Sequence, residues 1–189
     1  DVGNEVADLV PYIDWTPFLQ TYEFKGRYPA IFEDPEQGPA ARALFDDAQV
    51  MLKQIVEERW FNPKAVVGFW PANAVGDDIR VFADDTRGEE RATFFTLRQQ
   101  LSKRGDRPNL ALSDFVAPQD SGRPDYVGGF CVTAGIEEEA ISNRFAKAND
   151  DYASIMVKAL ADRFAEAFAE RMHAMVRREL WGYAPDETY

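Results

Sequence analysis

The sequence predicts an α+β fold, and three observations carry that expectation. Two long segments, 38–59 and 150–180, place apolar residues at a 3.6-residue period. Between them lie short apolar or alternating runs at 65–70, 78–82, 92–97 and 125–133. Turns and loops, rather than crossover helices, join these runs, which favours antiparallel pairing. The expectation is a single domain over 1–189, with the 150–180 helix packed across an antiparallel sheet.

Thr16-Pro17 reads as an N-cap followed by Pro at the first helical position, so a short helix is expected from there toward Phe24. Gly38 to Arg59 is helical by pattern, with Ala43, Leu44, Ala48, Met51, Leu52, Ile55 and Val56 in phase. Ala65 to Trp70 reads as a buried strand, and 71–76 as a loop because it opens on Pro71. Asp78 to Phe82 alternates as a strand, and Ala92 to Leu97 is its expected partner. In Asp125 to Thr133 the pair Gly128-Gly129 points to a bulge or a close backbone approach. Gly135 to Ala148 is a further helix. The last helix opens on Asp150 and Asp151, which suit an N-terminus, and closes on Arg177 and Arg178, which suit a C-terminus. Met156, Leu160, Phe164, Ala167, Phe168, Met172 and Met175 share its broad apolar face.

A length of 189 residues suffices for one sizeable core. The net charge of −12 disfavours nucleic acid as a partner, since phosphate binding needs a basic footprint. No apolar run approaches the length of a membrane span, and the first ten residues lack a signal-peptide pattern. The single Cys131 cannot form an internal disulfide, which favours a reducing, cytoplasmic compartment. Within its apolar strand Cys131 is expected to be a buried small hydrophobe.

Phosphate-loop and nucleophile-elbow motifs are absent, and no His-Cys cluster exists to hold a metal. The lone His173 reads as a rim residue, and the paired aspartates read as turns and helix starts. Two features remain. Ile155, Ala159, Arg163, Glu166 and Glu170 form a narrow second stripe on the last helix. It is either a salt-bridge ladder beside the core or the polar wall of a ligand cleft. Asp14 sits among aromatic and apolar residues in Tyr12-Ile13-Asp14-Trp15-Thr16-Pro17-Phe18. It either supports the helix start or grips a ligand ammonium in a pocket walled by Tyr12 and Trp15.

Several segments together resemble the C-terminal activation domain of cobalamin-dependent methionine synthase. They are YIDWTPF at 12–18, GRYPAI at 26–31, VVGFWPANAVGDDIRVF at 66–82 and LRQQ at 97–100. They continue with LSDFVAP at 112–118, DYVGGFCVT at 125–133, DDYASIMVKALADRFAEAFAERMH at 150–173 and WGYAP at 181–185. Their order matches the family and they span nearly the whole chain.

The resemblance implies a helmet-shaped α+β domain with a twisted antiparallel sheet and a groove for S-adenosylmethionine (AdoMet). It implies a repair role in methionine biosynthesis: reductive reactivation of cob(II)alamin to methylcobalamin, within a methyltransferase and not active alone. Partners implied are a cobalamin-binding module, on the same or a separate chain, and a flavodoxin-like electron donor. Asp14 matches the family's acid at the AdoMet amino group, and Arg163 and Glu166 match a polar pair near the methionine end. No catalytic residue and no metal ligand is implied. The family's Arg-Pro-Ala-x-Gly-Tyr-Pro-Ala-Cys-Pro stretch is expected some twenty residues after WGYAP, beyond Tyr189. An incomplete AdoMet site, with weak binding, is therefore expected. The alternative is a shortened, non-catalytic relative that docks on a cobalamin protein or flavodoxin without AdoMet.

Overall fold

A computed structural model of the chain describes residues 2–3 and 5–188. The chain divides into two compact units, one of Asp1–Val66 with Cys131–Tyr189, the other of Val67–Phe130. Its helices are α1 (Val6–Leu9), α2 (Trp15–Thr21), α3 (Gly38–Glu57), α4 (Glu138–Lys147) and α5 (Asp151–Met175). Its strands are β1 (Val2–Gly3), β2 (Lys64–Val75), β3 (Asp78–Phe82), β4 (Glu90–Phe95) and β5 (Asp125–Thr133). The sheet runs β1-β2-β3-β4, antiparallel throughout, and β5 also pairs with β2. The α+β expectation holds.

The first unit is helical and built on α5. Met156, Leu160, Phe164, Ala167, Phe168 and Met172 are all buried, as the 3.6-residue period requires. Helices α1 to α4 pack against this helix. Leu44, Ala48, Met51, Leu52 and Ile55 form the buried face of α3, while Ala43, expected there, is exposed. Phe61 meets Phe164 edge to face at 5.9 Å between ring centroids. Each such fully buried Leu or Phe contributes about 1.5–3 kcal/mol over its exposed state.

Three residues, Ala148, Asn149 and Asp150, join α4 to α5. Asn149, at φ 59°, takes the left-handed position that ends α4. Its N–H bonds Ala146 O, and the Asp150 N–H bonds Phe145 O, which satisfies two terminal carbonyls. Asp150 then caps α5, accepting at Oδ1 from the Ala153 N–H at 2.9 Å. Beyond Met175 the expected helix continues to Leu180 as a π turn, with the Trp181 N–H bonded to Val176 O.

The second unit is a hairpin sheet with a small core of Ala72, Ile79 and Val81, flanked by Val116 and Val127. Strand β2 does not stop at Trp70; it runs through Pro71 to Val75, where a loop was expected. Pro71 is tolerated because the ladder with β3 starts at Ala72. Gly76, at φ 61°, opens the two-residue turn between Val75 and Asp78. A Cβ on Gly68 would lie 2.5 Å from the Trp70 ring, whereas one on Gly129 would meet the same ring at 3.6 Å, an ordinary contact. Cys131 is exposed rather than buried, because β5 leaves most of its residues open to solvent.

Candidate functional site

Helix α2 starts at Trp15, and its N-cap is Asp14, not Thr16. Asp14 is extended (φ −84°, ψ 116°), and its Oδ1 accepts from the Thr16 N–H at 2.9 Å. Thr16 instead turns its hydroxyl outward to accept from the Tyr28 N–H at 3.2 Å. The position was misread because Thr-Pro is a good cap pair, whereas an acid two residues earlier is an equally good one. The Asp14 side chain is exposed and has no other hydrogen bond among the described residues. One carboxylate oxygen holds the helix start and the other faces solvent, able to accept from a cation.

Trp15, expected to wall a pocket, is 9% exposed. It is buried and packs edge to face on Phe45 at 4.9 Å and on Phe18 at 5.4 Å. Tyr28 and Phe32 close on the same Phe45. These rings fix α2 against α3 and so hold Asp14 at one place.

Helix α2 also packs on α5, which carries Arg163 and Glu166 one turn apart. Arg163 is largely buried, with 12% of its side chain exposed, and its guanidinium pairs with Asp162. Glu166 and Glu170 are exposed and form no ion pair among the described residues, so the expected ladder does not form. The stripe instead presents a half-sheltered cation beside open carboxylates. His173 is exposed, as expected for a rim residue.

The model for the family described as vitamin B12 dependent methionine synthase, activation domain, matches residues 5–189. The chain belongs to that family. Its fold also superposes, at a TM-score of 0.91 and 49% sequence identity, on a crystal structure of the MetH reactivation domain bound to AdoHcy. That match covers 100% of this chain and 57% of the other, so the chain spans little more than half the length of that structure.

The second unit of this activation-domain chain holds a polar hub that periodicity did not reveal. The Arg98 guanidinium donates to Asp77 at 2.6 Å, to both Asp114 oxygens at 2.7 and 2.8 Å, and to Asn109 O at 2.8 Å. Bonding to Arg98, helped by the Ala111 N–H, holds the Asp114 carboxyl down at about 2. A second hub centres on the buried Asn73, whose amide donates to Ala117 O and Arg123 O at 3.0 Å each. Arg87 donates to Asn73 Oδ1 at 2.9 Å and to Asp125 O at 3.0 Å. No local sequence pattern marks these hubs, because their partners lie 14, 16 and 21 residues apart in the chain. Among the described residues no three His, Cys, Asp or Glu side chains gather to hold a metal, and no helix is long and apolar enough to cross a membrane.

Proposed function

We propose that this chain is the AdoMet-binding part of a reactivation module for a cobalamin-dependent methionine synthase. The single observation that carries the reading is its 49% identity, over its whole length, to a reactivation domain bound to AdoHcy. Both compact units belong to one activation-type domain in this reading, since the family match runs through both.

The donor set fits the ligand. The amino-acid end of AdoMet or AdoHcy carries an ammonium and a carboxylate. The exposed oxygen of Asp14 suits the ammonium through a charge-assisted bond. Arg163, sheltered from water but still reachable, suits a carboxylate, and Glu166 adds an acceptor one turn on. Because Asp14 is also the N-cap, the packing that fixes α2 orients its carboxylate before the ligand arrives. When bound near a reduced cobalamin on a partner module, AdoMet supplies the methyl group that restores methylcobalamin and leaves as AdoHcy. A flavodoxin-like flavoprotein supplies the electron, and the setting is the cytoplasm.

Calorimetric titration with AdoHcy tests the site. Asp14→Asn keeps a capping oxygen but loses the charge. It should weaken AdoHcy roughly ten- to a hundredfold, the worth of one charge-assisted bond. Stability without ligand should fall by only about 0.3–1 kcal/mol. Equal affinity in the wild type and the folded variant would remove Asp14 from the site.

A further inference from the structure

The end of β2, the turn after it and the segment from Ser113 to Asp120 line a cavity of about 820 Å³, set wholly within the second unit. Such a volume is typical of a small-molecule site. Val75, Val116 and Pro118 give it an apolar wall. Its polar lining includes Ser113, Asp114 and Asp120, and among the described residues no basic side chain lines it. Ser113 is 2% exposed, and its carbonyl is taken by the Val116 N–H at 3.2 Å. Its hydroxyl has no hydrogen-bond partner among the described residues. A buried hydroxyl without a partner weakens a fold, so its place on a cavity wall points to a ligand. Asp114 is already engaged: its oxygens accept from Arg98, and one also accepts from the Ala111 N–H at 2.9 Å. Arg98, Asp77 and Asp114 together carry one net negative charge. Asp120 adds another and has no ion pair among the described residues. The wall is fixed before any ligand arrives. The Ala74 N–H bonds Ala117 O at 3.0 Å, the Asn73 amide bonds the same oxygen, and Asp125 holds the Ala117 N–H at 2.7 Å. A preformed wall spares a ligand the cost of ordering it.

We propose that this cavity is a second ligand site, which takes a protonated primary amine on a small apolar body. An ammonium carries several donors and no acceptor. One donor suits the Asp120 carboxylate through a charge-assisted bond, and another suits the Ser113 hydroxyl oxygen. The apolar body covers Val75, Val116 and Pro118 and removes water from them. Both carboxylates repel an anion, and a neutral alcohol reaches Ser113 but leaves Asp120 without a countercharge. The site shares no residue with Asp14, Arg163 and Glu166, so it stands apart from the reactivation reading. An occupant braces the hairpin turn against the segment from Ser113 to Asp120. It therefore stabilises the hairpin unit increasingly as its concentration rises.

An NMR titration of the chain with phenethylamine tests the site, with phenethyl alcohol and hydrocinnamate as neutral and anionic counterparts of the same body. The expected result is saturable binding of the amine at one site, with amide shifts centred on 74–76 and 113–120 and an affinity that falls as salt is added. The alcohol should bind roughly tenfold more weakly, and hydrocinnamate more weakly still. Asp120→Asn, at an exposed side chain, should weaken the amine about tenfold. Ser113→Ala should weaken it severalfold without loss of stability, because the hydroxyl it removes bonds nothing among the described residues. AdoHcy affinity should be unchanged in both variants. The proposal is overturned by a wild type that shows no saturable binding, by shifts centred elsewhere, or by equal affinity for amine and alcohol. Wild-type affinity in either folded variant also overturns it. If Ser113→Ala does not fold, Asp120→Asn and the alcohol comparison still decide. Failure of the wild type to bind AdoHcy, with the amine results intact, removes the reactivation reading and leaves this site standing.

Discussion

The two units reach order by opposite routes. The helical unit sinks large apolar side chains: Phe18, Phe164, Phe168, Leu160 and Met172 are essentially without solvent contact. The hairpin unit has a core cluster of three small or medium residues and one buried ring, Phe82, and is braced by two arginine hubs, while large hydrophobes such as Phe95 and Leu97 stand outside. Oily packing is non-directional, so the first unit needs the right volume on the right face. Hydrogen-bonded hubs are directional, so the second needs particular atoms at particular places. A protein can therefore keep one region for stability and leave another's apolar surface available for partners.

The sharpest way to break the comparison is a cavity in the helical unit. Phe164→Ala should destabilise it by about 3–5 kcal/mol, since the ring is buried against Phe61. Denaturant unfolding followed by the helical circular dichroism signal reads this directly. A loss under 1 kcal/mol would mean that the helical unit does not depend on its core.

The counterpart in the hairpin unit is Asn73→Ala, which removes an amide that is 3% exposed and bonded on both sides. Stranding Arg123 O and part of the Arg87 guanidinium should cost about 1–3 kcal/mol, while Ala117 O keeps its bond from the Ala74 N–H. Hydrogen exchange should speed up across 72–75 and 117–125 and stay unchanged in α5. Equal acceleration in both units would contradict their separate bracing.

Acid should loosen the hairpin unit through Asp114. Its folded value is held down at about 2 by Arg98. The ion-paired form therefore adds stability that is fully present above the ordinary Asp value of about 3.9. That stability is lost as pH falls from there through about 2. A carboxyl titration by carbon NMR with its midpoint near 4 would show that the Arg98 bond does not form in solution.

The smallest expected effect belongs to the helical unit. Arg59 ends α3 at φ 52°, and the Trp60 N–H bonds Ile55 O across it. A non-glycine residue in this left-handed position is strained by about 1–2 kcal/mol, partly offset by the unfolded-state entropy of glycine. Arg59→Gly should raise stability by about 0.5–1 kcal/mol. The ion pair it removes, to Glu5, is exposed and adds little.

The same contrast governs what the sequence disclosed. Gly38 as the start of α3, Asp78–Phe82 as β3 and Asp150 as the α5 cap were all legible, because periodicity, alternation and capping are local. The buried face of α5 was legible for the same reason. Within the hairpin unit, local rules misjudged Pro71, whose effect depends on where the neighbouring ladder begins. They were silent on Arg98, whose carboxylate partners lie 16 and 21 residues away. At the candidate site the local helix pattern singled out Arg163 and Glu166. The choice between Asp14 and Thr16 as cap needed backbone angles that residue types do not specify.

The helical unit is discontinuous, and this bears on how the chain acquires its structure. Residues 1–66 supply α1 to α3, but the helix that completes their core follows the whole of Val67–Phe130. On a ribosome the first three helices wait for α5 with their apolar faces uncovered, a vulnerable interval for a growing chain. The hairpin unit can shorten that wait by folding early, which draws together the two ends of the long loop it forms. Loop entropy grows only logarithmically, so doubling the length of that segment would add only about 0.6 kcal/mol to closure. Length between the halves of the helical unit is therefore inexpensive in equilibrium stability, and its effect falls mainly on the order and speed of assembly.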